Sequence, residues 1–395
     1  MKIARRAAVP AFAVMEIVAA ANARRAAGQS IINLCVGEPT TGASDAVRDL
    51  AQDILATGSL GYTEAMGSPA LRRAIAAHYG RWYGADVDPS RVAVTTGSSG
   101  GFMLAFLAAF DVGDRVALVR PGYPAYRNIL ASLGCDVVEI GCGPAEGYVP
   151  TVAQLDAAHA AAPLEGLVLA SPANPTGTMV DTVTLAQIAS WCTAHGVRLI
   201  SDEIYHGIVY DDARWPGASA VHHLEGGAVV VSSFSKYWAM TGWRLGWLVL
   251  PDDLVAPVDA LAGNVALCPP ALAQGAAVAA FSDAGYAAAQ ENVARYAASR
   301  ALLLERLDEL GWTQVAPADG AFYLYADVSG SGLDSVTWCA RLLDEVGVAL
   351  TPGTDFDEVD GARWVRLSFA QDPAVIGEAV DRIVAWQATT RPDVS

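Results

Sequence analysis

Ser233-Phe234-Ser235-Lys236-Tyr237-Trp238-Ala239-Met240-Thr241-Gly242-Trp243-Arg244-Leu245-Gly246 leads from one β-branched, apolar run (228–232) into another (245–250). At its centre is Lys236. Apart from Lys2 it is the only lysine in the 395 residues; every other basic side chain is arginine. Arginine stays protonated and cannot act as an amine nucleophile. A lysine that is buried or set beside other cations can lose its proton and attack a carbonyl. In a chain that otherwise uses arginine, an internal lysine at a strand end is either an accident of composition or a chemical requirement, and its surroundings decide which.

Working outward, short apolar runs at 91–95, 115–119, 136–140, 166–170 and 197–201 precede 228–232 and 245–250. Ala/Leu-periodic stretches such as 101–110, 126–133 and 185–195 lie between them. This alternation predicts an α/β fold with a mostly parallel sheet. The strands read as continuous apolar runs, as they must when helices cover both faces. After about residue 285 the pattern changes. A long helical stretch, 286–310, is followed by strands at 322–326, 347–351 and 364–368 and a last helix at 373–387, which reads as a smaller α+β domain. The division expected is an N-terminal arm with part of the small domain (1–45), a large cofactor-binding domain (46–285) and a small C-terminal domain (286–395). The first forty or so residues are expected to pack with the small domain or to cross to a partner chain.

A net charge of −17 and an isoelectric point near 4.6 argue against nucleic acid as a partner, because phosphate binding needs basic patches. The pairs Arg5–Arg6, Arg24–Arg25 and Arg72–Arg73 are isolated. Hydrophobic content of 53% with 17% charged residues suits a large enzyme core or an oligomer that covers part of its surface. The six cysteines form no C-x-x-C pair, and the six histidines no H-x-x-x-H or H-E-x-x-H spacing. Buried free thiols in a reducing cytoplasm are expected, and no metal site. The start MKIARR followed by an apolar stretch resembles a secretory signal, but Pro10 and Glu16 interrupt it, so none is expected. The charge-free run 260–282 is long enough to span a bilayer. It contains Asn264, Gln274 and Pro269–Pro270, and a buried loop plus helix is predicted instead of a membrane span.

Open α/β sheets bind ligands at the C-terminal ends of their strands. The informative polar residues gather there. Run 91–95 leads into Thr96-Gly97-Ser98-Ser99-Gly100-Gly101, run 166–170 into Ser171-Pro172-Ala173-Asn174-Pro175-Thr176-Gly177, run 197–201 into Asp202-Glu203-Ile204-Tyr205, and run 228–232 into Ser233 and Lys236. Each piece alone is commonplace: the Gly/Ser and Asn-Pro-Thr-Gly segments are ordinary turns, and an Asp at a strand end is usually a helix cap. Together they supply an amine, a carboxylate, a phenol, an amide and an anion cradle. Pyridoxal phosphate requires these groups: an amine for its aldehyde, a carboxylate for its pyridine nitrogen, donors for its ring oxygen, and a helix N-terminus with hydroxyls and an arginine for its phosphate.

The segment 233–246 resembles the lysine signature of the class I/II aminotransferases, which have the aspartate-aminotransferase fold (fold type I). The likeness extends from the arm 9–28 and Leu34-Cys35-Val36-Gly37-Glu38-Pro39 through Gly61-Tyr62-Thr63, Pro121-Gly122-Tyr123-Pro124-Ala125-Tyr126, 171–177 and 201–205 to Val365-Arg366-Leu367-Ser368-Phe369-Ala370. It implies that Lys236 forms a Schiff base with pyridoxal 5'-phosphate and later moves the substrate's α-proton. Asp202 would pair with the ring nitrogen, Asn174 and Tyr205 with the ring oxygen, and Tyr123 with the ring face. Gly97, Ser98, Ser99, Ser233 and Arg244 would hold the phosphate. Tyr62 would reach the phosphate of a neighbouring subunit, implying a homodimer with shared sites. Arg366, with Gly37 and Asn174, would hold the substrate α-carboxylate. Tyr237 and Trp238 depart from the residues common after the lysine, and Trp238 reads as core.

The implied activity is ping-pong transamination between an L-amino acid and a 2-oxo acid in the cytoplasm. A dicarboxylate donor would need a second arginine, which the sequence does not place, so neutral, apolar or aromatic donors are favoured. An aspartate-specific aminotransferase, a carbon–sulfur β-lyase on the same fold and a non-catalytic PLP-binding regulator are the alternatives.

Overall fold

The computed structural model describes residues 1–10, 13–58, 60–312 and 314–390. Its strands, in chain order, are β1 (Ile32–Asn33), β2 (Val92–Thr95), β3 (Arg115–Arg120), β4 (Asp136–Gly141), β5 (Gly166–Ala170), β6 (Arg198–Asp202), β7 (Val229–Ser233), β8 (Gly246–Val249), β9 (Tyr323–Asp327), β10 (Val348–Ala349), β11 (Thr351–Pro352) and β12 (Trp364–Ser368). Strands β2 to β8 form one seven-stranded sheet in the order β2-β8-β7-β6-β5-β3-β4. Its β7-β6-β5-β3-β4 part is parallel, and β8 runs antiparallel to both its neighbours. The α/β architecture and mostly parallel sheet read from the sequence are therefore present. The reversal at β8 follows from its connection. A parallel return needs a crossover, usually a helix. Segment 234–245 holds only turns, with Ala239 and Arg244 left-handed and a 3₁₀ turn at Thr241–Trp243, so the chain doubles back.

Side-chain alternation explains the unbroken apolar runs. Val229 and Val231 of β7 and Val168 of β5 point into one core, with the helices Gly97–Ala109 and Asp252–Val265. Val230, Leu167 and Leu169 point into the other, with the helix Thr182–His195. That helix is delimited by local chemistry. Asp181 accepts from the N–H groups of Val183 and Thr184 at its start, and Gly196 takes a left-handed φ of 67° at its end. The stop feeds β6, which carries Asp202 to the edge of the sheet.

A three-stranded antiparallel sheet, β11-β12-β9, and a two-stranded parallel pair, β1-β10, make up the rest. Here two expectations are corrected. The strand expected at 347–351 is divided: Val348–Ala349 pairs with the arm strand β1, and Thr351–Pro352 pairs with β12. The extended run is present, but the partner that splits it comes from the other end of the chain. The helix expected at 286–310 runs Asp283–Glu305 and is followed by a separate short helix, Leu307–Leu310. At the break, Arg306 pairs with Glu309 and Asp381. The arm helix Ala13–Ala26 packs on β10 and β11, tying the N-terminus to this region. The apolar run 260–282 is divided between the end of Asp252–Val265, a loop carrying both prolines and the helix Ala271–Ala277. Among the described residues no helix is long and apolar enough to cross a membrane. Trp238 is core: it packs among Phe234, Trp247 and Phe281 and donates to the Ala280 carbonyl at 3.1 Å. Cys35, Cys135, Cys142, Cys192 and Cys339 are buried free thiols, and Cys268 is partly exposed.

Leu167 is fully buried between the sheet and its helices. Leu167→Ala should lower unfolding free energy by about 3 kcal/mol, read from urea denaturation.

Candidate active site

The strand ends β3, β5, β6 and β7, the turn entering β8 and the start of the helix after β2 face one cavity of about 740 Å³. It is lined by Tyr123, Asn174, Asp202, Tyr205, Lys236 and Arg366, and also by Gly37, Ser98, Ser99 and Arg244. Sequence reasoning had named all of these.

Lys236 lies in the turn after β7. Its Nζ donates to the Gly37 carbonyl at 2.5 Å, and its exposed surface opens onto the cavity. Burial, followed by the charges of Arg366 and Arg244, drives its pKa from 10.5 to about 8, against the opposing pull of Glu38 and Asp202. Asp202 ends β6 and is 3% exposed. One oxygen accepts from the Tyr126 hydroxyl, and the other accepts from the Ile204 N–H at 3.1 Å. Burial pushes its pKa up to about 6, while those hydrogen bonds and Lys236 act to lower it. Tyr205 shares a hydrogen bond with Tyr323 at 2.7 Å.

Arg366, on β12, is held rigidly. Its guanidinium donates to Asn174 Oδ1 at 2.8 Å and to the Cys35 carbonyl. It lies 4.5 Å from the Tyr323 ring centre and 4.7 Å from that of Phe356. Its Nε is buried without a partner, a donor left for a ligand. Because Asn174 Oδ1 serves Arg366, its amide nitrogen is the group left to donate.

Elsewhere around the cavity, beside Arg244, the backbone itself is the feature. Gly97 opens the helix Gly97–Ala109 with φ 67°, and a Cβ there would lie 2.4 Å from Arg244 Nη2. A Cβ on Gly246 would lie 2.8 Å from Ser98 N and from the Gly97 carbonyl carbon. Two glycines thus let the β8 entry, the helix N-terminus and an arginine meet, which is the chemistry of an anion site.

The structure turns Ser233 away from this cluster, and Tyr62, expected to act at a neighbouring subunit's site, lies outside it. Ser233 is turned into the loop, where its hydroxyl bonds Ser235 Oγ at 2.8 Å and the Leu245 carbonyl at 3.2 Å; Ser235 lines the cavity in its place. Tyr62 lies at the surface, 85% exposed, outside the cavity wall. Sequence reasoning missed Tyr323, Phe356, Tyr126 and the arm residues Val14, Met15 and Val18. Tyr126 carried a signal, since it follows Tyr123 by three positions in the turn that opens one helix. Tyr323 carried none beyond that of a core strand residue.

Comparison with known proteins fits this geometry. The family model described as aminotransferase class I and II matches residues 29–383. The chain belongs to this family. The valine–pyruvate aminotransferase of Mycobacterium tuberculosis (strain ATCC 25618 / H37Rv) is 53% identical over 385 residues, covering 98% of each chain. A crystal structure of an aminotransferase from Mycobacterium tuberculosis superposes with a TM-score of 0.95 at 52% identity, over 98% of this chain and 100% of that one. The aspartate aminotransferase from Thermus thermophilus with maleate gives 0.91 at 31% identity, over 98% and 99%. The protein is therefore an aminotransferase of the aspartate-aminotransferase-like fold, and its cofactor is pyridoxal 5'-phosphate. The residues present fit that cofactor: an anion cradle, a buried carboxylate and an amine of lowered proton affinity face one space.

In this aminotransferase, prepared without cofactor, the Lys236 amine should be protonated and inert below pH 8 and neutral and reactive above it. Its labelling by an isothiocyanate, quantified by peptide mass spectrometry, should be half-maximal near pH 8, well below the 10.5 of an ordinary lysine.

Proposed function

We propose that this aminotransferase takes the amino group of a neutral amino acid with an apolar or aromatic side chain and passes it to a small 2-oxo acid. One observation carries the reading. Among the described residues lining the cavity, the arginines are Arg366 and Arg244, and Arg244 lies at the Gly97 end. The cavity wall also includes Val14, Met15, Val18, Val36 and Ile129, with Phe356 against Arg366 itself. A second carboxylate there would lose water without gaining a cation, which costs several kcal/mol by the ~2–7 kcal/mol scale for unpaired buried polar groups. The 53% identity to a protein named valine–pyruvate aminotransferase supports the same reading.

When bound, pyridoxal 5'-phosphate supplies an aldehyde that links to amino groups and a ring that takes up the electron pair left when the α-proton departs. The chain does the rest. Arg366 receives the substrate α-carboxylate through its fork, with Asn174 and Gly37 beside it. Lys236, neutral above about pH 8, would take the α-proton and redeliver it. Asp202 would keep the ring nitrogen protonated, Tyr205 and Asn174 would donate to the ring oxygen, and Tyr123 would pack on the ring face. Gly97, Ser98, Ser99, Ser235 and Arg244 hold the phosphate, with Ser233 bracing that turn. The exposed Tyr62, with Leu60, Val265 and Leu267 also exposed, suits a homodimer in which Tyr62 completes the partner's phosphate site. The acidic surface, the free thiols and the absence of a long apolar helix among the described residues suit a cytoplasmic enzyme without nucleic-acid or membrane partners. The working units are the arm 1–45, the large domain 46–285 and the small domain 286–395.

A panel of amino donors against pyruvate and 2-oxoglutarate should show kcat/KM for valine, leucine or phenylalanine above that for aspartate. Aspartate as best donor by a wide margin would sink the reading, and ammonia with pyruvate from a β-substituted amino acid would indicate a β-lyase. Lys236→Ala should abolish turnover. Arg366→Lys should raise KM for the amino donor about tenfold or more, because a point charge replaces a planar fork.

A further inference from the structure

We propose that Tyr126 is a positioning residue for the cofactor ring, acting through Asp202: its buried hydroxyl holds the carboxylate ionised and oriented toward the ring nitrogen. This rests on the reading of Asp202 as the partner of that nitrogen.

A carboxylate at the depth of Asp202 favours its neutral form unless donors stabilise the charge. Two are present. The Ile204 N–H is fixed by the turn that follows β6. The Tyr126 hydroxyl is a side chain brought from another element, the helix Pro124–Leu133. Burial and the Asp202 charge push the Tyr126 phenol well above its ordinary range, so it keeps its proton and acts only as donor to this carboxylate. A hydrogen bond to an ion is the stronger kind, and it favours the charged form. It occupies one acceptor direction of that oxygen and leaves the others for the ring N–H.

The other titratable groups facing Asp202 do different work. Lys236 contributes charge without a hydrogen bond to it. Glu203, Tyr123, Tyr205 and Tyr323 feel its negative field. Tyr126 is also tied to the ring face, because Tyr123 caps the start of the same helix and packs edge-on against it at 5.4 Å. Phe102 packs edge-on against Tyr126 at 5.0 Å. One helix therefore sets both the face and, through Asp202, the nitrogen of the bound ring.

Tyr126→Phe removes the oxygen and keeps the packed ring. Apoenzyme of the wild type and the variant is titrated with pyridoxal 5'-phosphate and with its analogue in which carbon replaces the ring nitrogen. The variant should bind the natural cofactor about tenfold more weakly, bind the carbon analogue within about twofold of wild type, and show a fall in kcat larger than any change in KM. In an Asp202→Ala background the same substitution should add nothing. Equal weakening of both ligands would show that Tyr126 acts by packing alone and would overturn the proposal, as would unchanged binding of both. If Asp202→Ala itself binds both ligands as wild type does, the reading of Asp202 is what has failed.

Discussion

The amine of Lys236 is placed where its proton is least welcome. Low-polarity walls and two guanidinium groups, Arg366 and Arg244, all disfavour the ammonium form, and Glu38 and Asp202 recover only part of that loss. The rest of the site depends on this opposition. Arginine cannot answer such an environment by giving up its proton, and lysine can. The scarcity of lysine in the chain is thus coherent with the chemistry. Cations whose task is to stay charged are arginines, and the single internal lysine sits where charge must be negotiable.

Sheet geometry turns that local condition into an assembled site. In the parallel register, Asp202 lies opposite Ala170 on one side and Val231 on the other, so the carboxylate sits level with the end of β5 and two residues short of the end of β7. Asn174 and Lys236 then follow from turns of similar length. The antiparallel return of β8 brings Arg244 to the same edge, where a crossover would have carried it to the far side of the sheet. Gly97 and Gly246 let this return approach the helix N-terminus to backbone contact. The anion cradle is therefore a consequence of one reversed strand and two missing side chains.

Much of this was legible in the sequence because strand ends can be counted. Lys236, Asp202, Asn174 and the Gly97 turn each follow a short apolar run, and the sheet then brings them together. Hydroxyl direction was not legible. Ser233 and Ser235 are two residues apart in one turn, and only the fold decides that Ser233 braces the loop while Ser235 faces the cavity. Long-range partners were equally hidden. The run 347–351 has a regular strand pattern, and its division follows from pairing with the arm at Ile32–Asn33. Tyr323 reads as a core strand residue, yet it touches both Tyr205 and Arg366.

That double contact of Tyr323 bears on how substrate and cofactor sites are kept in register. Its hydroxyl bonds Tyr205, and its ring lies against the guanidinium of Arg366, with Phe356 on the same group at 4.7 Å. Arg366 also binds Asn174. The residues proposed for the ring oxygen and the residue proposed for the α-carboxylate therefore share their supports. A shift of one moves the other, and Gly37 leaves no slack, because a Cβ there would overlap the Tyr323 hydroxyl at 1.7 Å. Catalytic geometry is lost steeply with displacement, so under the proposed roles these shared supports would protect the distance between Lys236 and the substrate's α-carbon. Selectivity follows from the same rigidity. Arg366 has its Nη atoms tied to Asn174 and Cys35 and keeps Nε without a partner, and the arm adds the apolar residues Val14, Met15 and Val18 to the cavity wall.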